Sequence, residues 1–225
     1  MPGRSTCDRI VTLNNIAQRR QDYGRPTFAA YVDLHAAFDS LSRPALWSLL
    51  IRIGIPDKIV RLIRAFYDNS LSSVWAGGVQ SSWLKIESGV RQECVLAPDS
   101  FATSMDLMLE RTVGQGRNGV SFDEDSYTDL NFADDVSVLA ELLELLIPVL
   151  ETMASETTLL DFQVNWQKTK VQAVGTRVNV PPTITVHGQQ VAVVDELVSL
   201  IHSTTQSSLP TSYAAVVSLM QRCRV

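Results

Sequence analysis

The chain alternates between segments in which apolar residues recur every three or four positions and shorter segments in which they follow one another. The first pattern predicts helices and the second predicts buried strands. We predict helices over residues 5–20, 42–53, 56–67, 98–111 and 144–160. We predict strands over residues 27–34, 71–75, 83–87, 119–122, 129–140, 164–174, 183–187 and 190–194. A chain of 225 residues with these elements is long enough for one domain with a sizeable core.

Three aspartates stand near the ends of buried strands. Asp33 lies near the end of the first apolar strand, and Asp134 and Asp135 separate two apolar runs. The acidic pair alone is as readily a surface β-turn, a structure that favours aspartate. A third carboxylate at the end of another strand favours a cation site, because converging like charges need neutralisation. Two Mg²⁺ ions held by such oxygens catalyse phosphoryl transfer, so nucleotidyl transfer is the matching reaction class.

The composition limits the function classes. A net charge of −5 and a pI near 5.2 argue at first against nucleic-acid binding, which usually requires a basic surface. A site for divalent cations, however, must itself be acidic. The chain has no apolar run that could span a bilayer and no apolar secretory signal, and its three cysteines are too scattered for a disulfide framework. We therefore expect an intracellular protein, nuclear or cytoplasmic, with no membrane and no disulfide-linked partner.

Four segments follow the order of motifs A to D of reverse transcriptases. YVDLHAAFD at residues 31–39 resembles motif A, SGVRQECVLAP at 88–98 motif B, FADD at 132–135 motif C, and NWQKTK at 165–170 motif D. With the opening PGRST, the resemblance covers about residues 2–175. A motif A that ends in Ala-Phe-Asp is typical of non-LTR elements. The chain thus resembles the reverse transcriptase domain of a non-LTR, LINE-type retrotransposon.

This resemblance implies a fold and a chemistry. The expected fold is α+β: a polymerase palm with an antiparallel sheet and helices packed on one face, partial fingers and no thumb. The implied activity is that of an RNA-directed DNA polymerase, which uses an RNA template, a DNA primer and a dNTP with two Mg²⁺ or Mn²⁺ ions. Asp33, Asp134 and Asp135 would be the catalytic metal ligands. We expect a fingers remnant at 1–26, a palm with motifs A to D at 27–175, and a degraded primer-grip or connection region at 176–225.

The resemblance also implies a nucleotide site. Leu34 would contribute its backbone carbonyl, and Gln92 would lie near the incoming nucleotide. Phe38 would lie under the sugar and exclude a 2′-hydroxyl; the alternative is an ordinary core phenylalanine. Lys168 or Lys170 would lie near the triphosphate, where a cation offsets developing charge or supplies a proton, and spacing does not decide between them. Either lysine could instead be a solvated charge at a strand end.

Two positions depart from the family pattern. Glu93 stands where the family has glycine after the motif B glutamine, and residues 195–201 lack the Tyr-Leu-Gly turn of the primer grip. The chain also begins in what resembles the middle of the fingers and ends without a thumb, so we expect a truncated and impaired domain. The alternative is a non-catalytic retroelement remnant that at most binds nucleic acid or a partner.

The Glu93 departure generates a prediction. Glu93→Gly should tighten nucleotide binding in the presence of Mg²⁺ by about 1–3 kcal/mol, because it removes both backbone strain and a negative charge near the triphosphate. Calorimetric titration with a dNTP measures the effect. Equal affinities would show that the motif B loop tolerates the side chain.

Overall fold

The computed structural model describes residues 6–91, 94–114, 119–122, 125–132, 135–174 and 180–194, with backbone alone for residues 6–9, 122 and 132. It contains six helices within these ranges: α1 (Thr6–Asp22), α2 (Ala37–Ser40), α3 (Arg43–Arg52), α4 (Asp57–Tyr67), α5 (Leu96–Val113) and α6 (Leu143–Thr158). No helix among the described residues is long and apolar enough to cross a bilayer.

A six-stranded sheet forms the centre of the fold. Its strands are β1 (Thr27–Val32), β8 (Asp129–Phe132), β9 (Asp135–Ala140), β10 (Lys170–Val174), β11 (Thr183–Val186) and β12 (Gln189–Val194), in the order β11-β12-β10-β1-β9-β8. Three small ribbons lie outside it: β2 (Leu71–Ser72) with β5 (Leu84–Lys85), β3 (Trp75–Ala76) with β4 (Val79–Gln80), and β6 (Val120–Phe122) with β7 (Asp125–Tyr127).

Strand β1 is central and is covered on both faces. It pairs antiparallel with β9 on one side and with β10 on the other. Its alternate residues Phe28, Ala30 and Val32 belong to the large core cluster that also contains buried residues of α3 to α6. Ala29, on the opposite face, packs with Leu13 and Ile16 of α1. A strand covered on both faces reads as a continuous apolar run, which explains the composition of residues 27–32.

The α+β arrangement is confirmed, but the expectation that the helices all pack on one face is wrong for α1. Leu13 and Ile16 pack on the face of the sheet opposite to the larger cluster, together with Val120 of β6. The sheet is also not wholly antiparallel, since β10 and β12 pair in parallel. The amphipathic pattern of a helix shows which of its sides is buried, but not which face of a sheet it covers.

Three predicted strands also differ in extent. The predicted hairpin at residues 71–87 is interrupted: its outer part pairs β2 with β5 and its inner part pairs β3 with β4. The strand predicted at 164–174 begins only at Lys170, and Val164 forms an isolated bridge with Leu34. Residues 165–169, between Val164 and Lys170, make a turn. This turn carries part of the site described below.

A buried cation ties α1 to the sheet. Arg20, only 3% exposed, donates to Thr27 Oγ1 at 2.7 Å, to the Ser121 carbonyl at 3.0 Å and to Glu141 Oε1 at 2.9 Å. The backbone N–H of Ser121 and the Arg20 guanidinium hold the pKa of the Glu141 carboxyl below its usual range. Each buried donor therefore meets an acceptor, which offsets the cost of desolvating the guanidinium.

The position of α1 can be tested through its core contact. Ile16 is 1% exposed, so Ile16→Ala should lower the free energy of unfolding by about 2–5 kcal/mol. Ile51 on α3 is 53% exposed, and Ile51→Ala makes the same chemical change with an expected effect of about 0.5 kcal/mol or less. Urea denaturation measures both. Similar losses in the two variants would contradict the burial of α1 against the sheet.

Candidate active site

Two aspartates follow the last pair of one ladder in the central sheet. The last register pair of β1 and β9 is Val32 with Val136. Because the strands are antiparallel, Asp33, which follows β1, and Asp135, the first residue of β9, lie at the same end of this ladder. The Asp33 side chain is 37% exposed and Asp135 is exposed, so both carboxylates are accessible from solvent. The third predicted ligand, Asp134, lies outside the described residues, and no group of three metal-binding side chains occurs among those described.

The backbone around Asp33 is fixed by the turn at residues 165–169. The Asn165 N–H donates to the Asp33 carbonyl at 2.8 Å, and the Asp33 N–H donates to Thr169 Oγ1 at 3.4 Å. Thr169 is fully buried, and its hydroxyl donates to the Asn165 carbonyl at 2.9 Å. Beyond Asp33, buried Leu34 bridges Val164. The end of β1 is therefore fixed to this turn through the backbone N–H and C=O of Asp33.

The two candidate lysines have different partners. Lys168 Nζ lies 3.8 Å from Asp33 Oδ2, and its side chain is 70% exposed. Lys170 Nζ instead donates to the carbonyl of Gln167 at 2.7 Å. The structure thus brings Lys168, and not Lys170, to the carboxylate of Asp33. Sequence spacing left this choice open, because the turn that separates the two amines is not visible in a pattern of polar residues.

Phe38, within the predicted motif A, packs against the core. It is half-buried on α2, and its ring stacks on Phe101 with the centroids 4.2 Å apart. Phe101 itself is 1% exposed. One face of the Phe38 ring therefore rests on the core, which fixes the side chain while part of it remains accessible. The predicted nucleotide ligand Gln92 and its neighbour Glu93 lie outside the described residues.

Gly89 joins the predicted motif B loop to the end of motif A. Its N–H donates to the Leu41 carbonyl at 2.8 Å, and Ser88 Oγ donates to the Asp39 carbonyl at 3.0 Å. Gly89 has a φ of +75°, and a Cβ atom here would lie 2.6 Å from the Asp39 carbonyl oxygen. Only glycine combines this conformation with such a close approach. The two segments are therefore in direct backbone contact.

Arg43 supports the same junction and was not singled out from the sequence. Its guanidinium donates to the carbonyls of Gly89 at 2.9 Å, Ile86 at 2.8 Å and Tyr67 at 3.3 Å. It also lies 5.0 Å from the centre of the Tyr67 ring. Burial lowers the pKa of Arg43 and raises the pKa of the Tyr67 hydroxyl. An arginine before a proline at a helix start looks solvated in sequence, so nothing there indicated these three backbone contacts.

The sequence matches the family described as reverse transcriptase (RNA-dependent DNA polymerase) over residues 1–207. The chain belongs to the reverse transcriptase family. Similar curated proteins are Pol polyproteins of R2 retrotransposable elements. One from Popillia japonica is 28% identical over 70% of this chain and 22% of its own length, and one from Nasonia vitripennis is 30% identical over 52% of this chain and 11% of its own. The chain thus matches about a fifth or less of these relatives.

Solved structures of telomerase share the reverse transcriptase fold of the chain. Telomerase from Candida tropicalis, in complex with a fragment of telomeric RNA, superposes with a TM-score of 0.59 at 16% identity and covers 91% of this chain and 34% of its own. Telomerase from Candida albicans gives 0.56 at 14% identity, with 85% and 33% covered. These comparisons confirm the palm-like α+β fold and the resemblance to non-LTR retrotransposons. Members of the reverse transcriptase family use divalent metal ions and RNA templates.

The contact between motifs A and B can be tested by substituting two glycines that have nearly the same φ. Gly188, between β11 and β12, has a φ of +76°. A Cβ atom at this position would have no other atom within 4 Å. Both alanine variants carry the cost of positive φ, and only Gly89→Ala adds a collision with backbone. We expect Gly89→Ala to destabilise the chain by about 1–3 kcal/mol more than Gly188→Ala. Urea denaturation curves of equal midpoint would contradict the close approach of Gly89 to Asp39.

Proposed function

We propose that this chain is the palm region of an RNA-directed DNA polymerase that adds a dNTP to a DNA primer on an RNA template. The observation that carries the proposal is the register of β1 with β9, which ends at Val32 and Val136 and so leaves Asp33 and Asp135 at the same end of the ladder. Membership of the reverse transcriptase family supports the reaction class. Asp134, which directly precedes Asp135 in the FADD motif, completes the proposed set of catalytic carboxylates.

The residues proposed at this end of the ladder have the donor chemistry that divalent cations prefer. Carboxylate and carbonyl oxygens are the hard ligands that Mg²⁺ and Mn²⁺ prefer, and Asp33 and Asp135 are accessible to solvent. In the proposal Asp33, Asp134, Asp135 and the carbonyl of Leu34 hold the ions. When bound, such ions lower the pKa of an attacking hydroxyl and stabilise the charge on the leaving oxygen. The protein's own contribution is to fix the ligands, which the two backbone contacts of Asp33 support.

The remaining assignments concern the nucleotide. Lys168 is proposed to approach the triphosphate, where a cation stabilises developing negative charge. Its position beside Asp33 supports this role better than the position of Lys170, whose amine is bound to the Gln167 carbonyl. Phe38 is proposed to support the sugar and exclude a 2′-hydroxyl. The stack on buried Phe101 would hold its ring rigid for that purpose, and Gln92 is proposed to contact the nucleotide.

A second candidate function is nucleic-acid or partner binding without catalysis. It is favoured by Glu93, which stands where the family has glycine and brings a negative charge into motif B. The same residue would leave the metal site intact while weakening nucleotide binding. The two candidates therefore differ in whether a primer is extended, and not in whether cations bind.

The proposal is tested with Asp33→Asn, which removes the charge of one ligand with little change of shape. We expect this variant to lose Mn²⁺ binding in paramagnetic resonance titrations, and to lose single-nucleotide addition to a primed RNA template by about 100-fold or more. Asp106→Asn, an exposed aspartate on α5, is the matched control and should change neither.

The outcomes separate the two candidates. Nucleotide addition that depends on Asp33 supports the polymerase. Mn²⁺ binding that depends on Asp33, with no addition by the unmodified chain, supports the non-catalytic candidate. Addition that survives Asp33→Asn would disprove the assignment of this carboxylate.

A further inference from the structure

The Lys168 ammonium lies where a cation would approach Asp33. Its Nζ is 3.8 Å from Asp33 Oδ2, and more than half of the lysine side chain is exposed. An exposed pair of this kind is individually weak, because solvent screens the attraction and the lysine has many rotamers. A weak contact can be exchanged for another at little cost. The pair is therefore suited to be broken when a stronger ligand for Asp33 arrives.

The turn that carries Lys168 keeps the amine close to this carboxylate. The Lys168 N–H donates to the Asn165 carbonyl at 3.2 Å and approaches Asn165 Oδ1 at 3.3 Å. Asn165 in turn donates to the Asp33 carbonyl, and Thr169 accepts from the Asp33 N–H. The backbones of Lys168 and Asp33 are thus fixed relative to each other on both sides of the lysine. The contact between the two residues is made by their side chains, both of which are partly exposed.

We propose that Lys168 acts as an internal counter-ion of Asp33 that competes with the divalent cation and is displaced from the carboxylate when the cation binds. The inference rests on the proposed function, since it takes Asp33 as a metal ligand. An ammonium and a divalent cation repel each other, and both are attracted to the same carboxylate. When one of these cations is bound to the carboxylate, the other therefore binds more weakly. In the absence of metal, the ammonium neutralises the charge of Asp33.

Displacement of Lys168 from Asp33 also sets the order in which the lysine contacts the carboxylate and a nucleotide. While its ammonium is beside Asp33, it is less available to an anionic ligand. Once a divalent cation neutralises Asp33, the attraction that holds the lysine is lost, and the long side chain is free to approach the phosphates of a nucleotide. Metal binding and nucleotide binding would then be positively coupled through one side chain, as linkage requires of two ligands that favour the same state.

The test compares two lysine variants of equal charge change. Lys168→Met removes the competing ammonium, and Lys170→Met removes an ammonium that is bound to the Gln167 carbonyl. Mn²⁺ affinity is measured by paramagnetic resonance, without nucleotide and at low ionic strength, where exposed charge pairs are least screened. We expect Lys168→Met to tighten Mn²⁺ binding about two- to five-fold relative to the unmodified chain, and Lys170→Met to change it by less. Lys168→Arg, which keeps the charge, should restore the original affinity.

Each outcome of this comparison either supports or overturns the inference. Tightening confined to Lys168→Met supports the inference. Equal tightening of Mn²⁺ binding in both methionine variants would mean that only the overall charge matters. Unchanged Mn²⁺ affinity in Lys168→Met would mean that the lysine does not compete with the cation. Either result overturns the inference while leaving the metal site in place. Absence of Mn²⁺ binding in both the unmodified chain and Lys168→Met would overturn the proposed function as well.

Discussion

The fold and the site both depend on the hydrogen bonding of β1 to two neighbours at once. Its register with β9 leaves Asp33 and Asp135 at the same end of that ladder, and its pairing with β10 brings the turn at residues 165–169 beside Asp33. A slip of one residue in either ladder would turn every side chain of β1 to the other face of the sheet. The two faces of β1 carry side chains of different size, with Phe28 on one and Ala29 on the other, so close packing opposes such a slip and helps to determine where the charges lie.

The sequence predicted most elements because their apolar periodicity is strong. Helices α3, α4, α5 and α6 lie close to the predicted segments, as does the β11–β12 hairpin. What it could not predict were relations between elements. The side of the sheet that α1 covers, and the parallel pairing of β10 with β12, depend on long-range packing. The turn before β10 was missed because Trp166 and Val164 resemble the apolar positions of a strand that continues.

For the site, spacing and resemblance predicted the carboxylates and the lysines, but only the folded structure shows which of these groups approach one another. Asp33 and Lys168 are separated by more than half of the chain and meet through backbone contacts of Asn165 and Thr169. Arg43 was missed for a related reason: its three acceptors are carbonyl groups, which every residue has. A sequence shows side-chain chemistry, and it does not show which main-chain oxygens a buried cation will meet.

The central place of β1 also has a consequence during translation. Its partners β9 and β10 lie far downstream, so the ribosome must add about 100 further residues, over roughly 5–20 s, before the first of these ladders can close. During that interval an apolar strand with unpaired edges is available to wrong partners. Helices α3 to α5 are made in the meantime and can form locally. We infer that the nascent chain is most vulnerable to aggregation, and most dependent on chaperones, until β9 emerges.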